Sequence, residues 1–145
     1  DIFFMANYAQ TVNVIGCIKT SKTDASLATT GLVLKLYRKH FGEVPLSAST
    51  GPVLDVAAAV SKDGKTLTLA VVNPTMSRIE APLQVKGARL SGKGILRQIA
   101  GKDPMAYNEP GKPPKVSIEE QPVSGVRKKI SLAPCSVTLF SLELK

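Results

Sequence analysis

Thr66 to Val72 sets Leu67, Leu69 and Val71 against Thr66, Thr68 and Ala70, the period-two pattern of a half-buried strand. Ser61-Lys62-Asp63-Gly64-Lys65 precedes it with Asp-Gly as a hairpin dipeptide, and Val53 to Val60 supplies the partner strand. Asn73-Pro74 ends the run. Ile79 to Val85, Gly94 to Ile99, Val116 to Glu120, Lys129 to Leu132 and Ser136 to Leu144 repeat the signal at fairly even spacing. Seven short strands in this order predict an antiparallel, jelly-roll-like β-sandwich over residues 53–145. Ala100 to Lys115 is a long irregular stretch rich in proline and glycine, and loops of that length in a compact domain usually need a reason.

The first 42 residues follow a different period. Phe4, Tyr8, Val12 and Ile15 recur at helical spacing, which predicts a helix from Ile2 to about Val14, closed near Gly16. Cys17 to Thr20 reads as a short buried strand and Ser21 to Ser26 as a polar loop. Leu27 to Phe41 reads as a second helix. Val33, Leu36, Tyr37 and His40 share one of its faces, Lys35, Arg38 and Lys39 the opposite one, and Gly42 stands at the C-cap position. Helix, strand and helix form one end of an α/β repeat, and such a piece cannot bury its faces without neighbouring strands. The expected organisation is therefore mainly β: an α/β piece over 1–42, a Ser/Pro/Gly-rich linker over 43–52, and the sandwich over 53–145. Asp1-Ile2-Phe3-Phe4 opens with an apolar run and without an initiator Met or basic lead. We therefore expect the C-terminal piece of a longer protein.

Composition narrows the classes. An apolar fraction of 43% excludes a disordered chain, and two cysteines in 145 residues exclude a disulfide scaffold. No apolar run approaches the ~18 residues of a membrane-spanning helix. The net charge of +8 points toward anionic partners, but the lysines and arginines are scattered from Lys19 to Lys145, with Arg127-Lys128-Lys129 the only run. Aromatic residues for base stacking are few and Trp is absent. The expectation is a solvated basic surface, with neither nucleic acid nor membrane as partner.

Candidate chemistry is sparse. The single histidine, His40, lies on the apolar side of the second helix and has no neighbour in sequence to orient it, as a packed histidine would. Cys17 and Cys135 lie far apart in apolar segments and read as free thiols. One His and two separated Cys cannot build a usual zinc site, so no metal or cofactor is expected. Glycosidic chemistry needs two positioned carboxyl groups. Glu119 and Glu120 are adjacent on an expected strand and point to opposite faces; Asp55, Asp63, Glu80, Asp103 and Glu109 sit at strand edges or turns. No residue of this chain is assigned a catalytic role.

Met5-Ala6-Asn7-Tyr8-Ala9-Gln10-Thr11-Val12-Asn13-Val14-Ile15 is similar to the segment entering the last strand of the catalytic barrel in glycoside hydrolase family 51 α-L-arabinofuranosidases. Thr29-Thr30-Gly31-Leu32 through Tyr37-Arg38-Lys39-His40-Phe41-Gly42 looks like the final barrel helix. Leu54-Asp55-Val56 with Leu67 to Pro74 looks like the start of the C-terminal sandwich, and Asp103 to Pro110 and Leu132 to Thr138 resemble its later loop and closing strand.

The resemblance implies a (β/α)8 barrel whose last α/β segment is residues 1–42. It also implies a retaining mechanism that cuts terminal arabinofuranosyl groups from arabinoxylan, arabinan or their oligosaccharides. The two catalytic glutamates of the family lie upstream of Asp1. Gln10 matches the glutamine that reaches the arabinose pocket, and an amide can both donate to and accept from sugar hydroxyls. The implied partners are the upstream barrel portion, an arabinose-containing saccharide and a further copy of the parent. The alternative is a non-catalytic carbohydrate-binding or structural sandwich module. A binding module usually carries an aromatic platform, and only Tyr107 and Phe140 lie in the strand-rich region, Phe140 reading as core.

Overall fold

The computed structural model of the chain describes residues 7–101 and 103–145. The strands are β1 (Ile18–Thr20), β2 (Ala25–Leu27), β3 (Val44–Leu46), β4 (Asp55–Val60), β5 (Thr66–Asn73), β6 (Ile79–Pro82), β7 (Leu90–Ala100), β8 (Ile118–Val123), β9 (Lys129–Leu132) and β10 (Ser136–Leu144). Among the described residues one helix, α1 (Thr29–His40), lies between β2 and β3. The main sheet has the order β3-β4-β5-β10-β7-β8, while β6-β9 and β1-β2 form two-stranded ribbons, and all named pairs are antiparallel.

Alternation along β5 and β10 divides the core. Leu67, Leu69 and Val71 lie on the same face as Phe140 and Leu142, where Leu96, Ile130 and Leu132 join them. The β6-β9 ribbon closes over this face and makes the sandwich. Leu139 and Ile99 point the other way and meet Leu32 and Leu36 of α1 and Val116. The sheet is thus covered by a ribbon on one side and a helix on the other, so its central strands are apolar on both faces.

Helix α1 approaches closely at both ends. A Cβ on Gly31 would stand 2.7 Å from the Cys17 carbonyl oxygen, so only glycine lets the first turn rest on the chain entering β1. Gly42 does not occupy a left-handed cap: Phe41 ends the helix in extended conformation with its N–H bonded to the Tyr37 carbonyl at 3.0 Å. Gly42 instead donates its N–H to Thr68 Oγ1 at 2.9 Å and passes against Val60, where a Cβ would crowd. The α1 face pattern holds: Leu36 is buried, Val33, Tyr37 and His40 are half-buried, and Lys35, Arg38 and Lys39 are exposed.

Three further expectations change. The helix expected over Ile2–Val14 is absent from residues 7–14, and its first part lies outside the described residues. Gln10, Asn13 and Val14 carry positive φ, and Val12 bridges Ile18, so the segment turns instead of winding. The polar loop Ser21–Ser26 is cut short by β2, which pairs with β1. Within the Ser/Pro/Gly-rich stretch, β3 adds an edge strand to β4, with Pro45 at the sheet margin, where a missing N–H is tolerated.

Candidate functional site

The strand ends Asn73, Ala100 and Ser136 meet the start of α1 at one end of the sheet. The β7-β8 connection folds over this end, and Asn108 fixes it there. Its buried side-chain Nδ2 donates to the carbonyls of Leu27 (3.2 Å) and Val116 (2.8 Å), and its Oδ1 accepts from the N–H groups of Lys115 and Val116, both at 3.0 Å. All four hydrogen-bonding capacities of the amide are used.

Beside this loop lies an open cleft of about 630 Å3, between the 8–20 segment and Tyr107–Pro110. Tyr8 Oη lies 2.9 Å from Thr30 Oγ1 and 3.2 Å from the Ile15 carbonyl. Asn13 Nδ2 donates to Thr20 Oγ1 at 2.9 Å, its Oδ1 accepts the Thr20 N–H at 2.8 Å, and Lys19 Nζ donates to the Val14 carbonyl at 2.6 Å. Tyr107 is exposed, with Lys115 Nζ 5.2 Å from its ring centroid. The lining combines hydroxyls, amides and phenol rings, groups that suit a neutral polyhydroxylated ligand. Glu109 is its one carboxylate and is paired with Lys112 at 3.0 Å.

Of the residues singled out from sequence, Tyr107 and Glu109 line this cleft and the others do not converge on it. Gln10 is exposed, has φ of 55° and is not part of the lining. His40 sits at the other end of α1; burial, then the Arg97 guanidinium and Lys39, hold its pKa below the ordinary value, with Glu120 opposing. Glu120 is engaged by Arg97 Nε at 2.6 Å, and Arg97 Nη1 donates to Ser141 Oγ at 3.1 Å. Glu119 pairs with Gln98 in register one residue along. Cys17 and Cys135 are free and half-buried. Among the described residues no group of three or more His, Cys, Asp or Glu could hold a metal ion. Tyr8 and Asn108 were not singled out as site residues. The excessive length of the 100–115 loop and the family resemblance of Asp103 to Pro110 were the signals that pointed to Asn108.

The fold defines an antiparallel β-sandwich domain with an α/β lead-in. The sequence model of the α-L-arabinofuranosidase C-terminal domain matches residues 1–136, and the chain belongs to that family. The chain is similar to the α-L-arabinofuranosidase of Thermotoga maritima, solved as an arabinose complex, with 26% identity and a TM-score of 0.79 over 93% of this chain and 33% of that one. A family 51 α-L-arabinofuranosidase from Thermotoga petrophila gives 26% identity and a TM-score of 0.78, covering 92% of this chain and 32% of that one. A family 44 xyloglucanase from Paenibacillus polymyxa shares the fold at 23% identity and a TM-score of 0.59, over 75% of this chain and 22% of that one. The chain thus spans about a third of the length of the arabinofuranosidases it matches. No curated protein sequence matches it.

Proposed function

We propose that this chain is the C-terminal part of a retaining α-L-arabinofuranosidase that releases terminal arabinofuranosyl residues from arabinoxylan, arabinan or their oligosaccharides. Residues 1–42 complete the catalytic (β/α)8 barrel, 43–52 connect and lend edge strand β3 to the sheet, and 53–145 form the supporting sandwich. The observation that carries this reading is the family match over residues 1–136. The similarity to the arabinose-bound Thermotoga maritima enzyme supports it.

In this reading the catalytic carboxylates lie upstream and the isolated chain is inactive. Retention requires two carboxyl groups ~5–5.5 Å apart, one acting as nucleophile. Glu120 is held by Arg97 and Glu109 by Lys112, which suits neither to that work. Gln10 contributes a neutral amide to the arabinose pocket once the barrel surrounds it. The exposed side chains of Val12, Val14 and Ile15 favour a partner that buries them, and the upstream barrel is that partner. The parent can also self-associate. A lone exposed Tyr107 makes no platform for an independent sugar-binding module.

Proton NMR of the sugar first released by the parent enzyme tests the mechanism. Release of the α-anomer before mutarotation is expected, and initial release of the β-anomer would overturn retention.

A further inference from the structure

The cations dispersed through the sequence collect in space. The β4-β5 turn brings Lys62 and Lys65 to the end of the sheet opposite Asn108, and the β6-β7 connection adds Lys86 and Arg89. Lys93 follows in β7, Arg127, Lys128 and Lys129 come from the segment before and into β9, and Lys145 ends the chain beside them. Backbone bonds tie these pieces together: the Leu144 N–H donates to Lys65 O at 2.8 Å, Lys145 to Arg89 O at 2.9 Å and Val126 to Gly92 O at 3.1 Å. Arg127 Nη2 donates to the Ser91 carbonyl at 3.0 Å. All nine cations are exposed. The acidic residues in these segments are Asp63 and Glu143, and Asp63 is occupied by Ser61 Oγ at 2.5 Å.

We infer that this basic end is a docking surface for a uronate-bearing polysaccharide, placed away from the cleft beside Asn108. The inference rests on the arabinofuranosidase reading for the choice of polymer. Polysaccharides bearing arabinofuranosyl groups occur with uronic acids, whose carboxylates repeat along the chain. Seven of the nine cations are lysines, mobile point charges that suit spaced carboxylates better than a rigid bidentate fork does. No aromatic residue occurs in the contributing segments, so there is nothing for bases to stack on. The surface would hold the parent on the polymer whose side groups it trims, through contacts weakened by salt.

Affinity electrophoresis of the 145-residue chain in gels containing polygalacturonate, neutral debranched arabinan or single-stranded DNA tests this directly. At about 20 mM ionic strength polygalacturonate should retard the chain at least ~10-fold more strongly than arabinan or DNA does, with the retardation lost near ~150 mM. A triple variant, Lys86→Gln, Lys93→Gln and Lys128→Gln, should weaken retardation ~10-fold. A control triple of Lys22→Gln, Lys35→Gln and Lys112→Gln should change it less than ~2-fold, both proteins melting like the parent chain. Absence of retardation, tighter binding to DNA than to polygalacturonate, or equal loss in the two triples would overturn the proposal. These outcomes are independent of arabinose release, so failure of the enzymatic reading is seen separately.

Discussion

Asn108 donates its side-chain amide to the carbonyl of Leu27, 81 residues earlier, at 3.2 Å. This bond and the three Asn108 makes to Lys115 and Val116 join the lead-in before α1 to the sandwich loop. Truncation leaves the Val116 N–H and carbonyl without their partner in a buried place. Asn108→Ala should therefore cost about 2–3 kcal/mol, measured as a lowered urea midpoint at unchanged slope. A change below about 0.5 kcal/mol would show that the loop is held by other contacts.

Helix α1 gives a paired test of what packs inside the chain and what packs against a partner. Leu36 is fully buried, so Leu36→Ala should cost about 2–5 kcal/mol in the isolated chain. Leu34 is 46% exposed, and Leu34→Ala should have little effect there. If the upstream barrel covers this face, Leu34→Ala should become distinctly destabilising in the full enzyme. Equal small effects in both settings would place Leu34 outside the barrel contact.

The sandwich was legible because short apolar runs bounded by turn signals mark strands even where both faces are buried: all seven strands expected from Val53 onward are present, β9 and β10 with the expected ends and the others shifted. The part of the expected Ile2–Val14 helix that lies in the described residues, 7–14, failed for a physical reason. Spacings of four, four and three between apolar residues are shared by irregular segments, and Thr11, Val12, Val14 and Ile15 are β-branched and resist helix. The short strands β1, β2 and β3 have three residues each, too few to show a period. The basic end was invisible because its charges come from separate segments joined only by strand register. Asn108 looked like any turn residue, since its four bonds depend on where the loop lands.

His40 provides a pH test. Burial and the nearby Arg97 and Lys39 hold its folded pKa below the ordinary value of 6.5. Between the two values the unfolded chain binds a proton that the folded chain binds less well. Stability is therefore complete above 6.5 and falls as the pH drops through the folded pKa. The urea midpoint should decline from about pH 7.5 to about pH 5.5, and His40→Gln should flatten that decline. A midpoint that rises over this range would contradict the assignment.

Gln10 separates a sugar contact from a structural amide. In the full-length enzyme Gln10→Ala should lower kcat/KM several-fold, because a neutral hydrogen bond is worth roughly 0.5–1.5 kcal/mol and more if it strengthens in the transition state. The melting temperature should hardly move. Normal kinetics with a lowered melting temperature would make Gln10 structural.

The central claim is that this chain completes an arabinofuranosidase whose catalytic carboxylates lie upstream. The most direct measurement is turnover of an aryl α-L-arabinofuranoside by the full-length enzyme, by the isolated 145-residue chain and by the upstream portion mixed with the chain. The account predicts turnover by the full-length enzyme, none by the chain alone, and recovery on mixing if the two portions associate. Turnover by the chain alone, or none by the full-length enzyme, would contradict it.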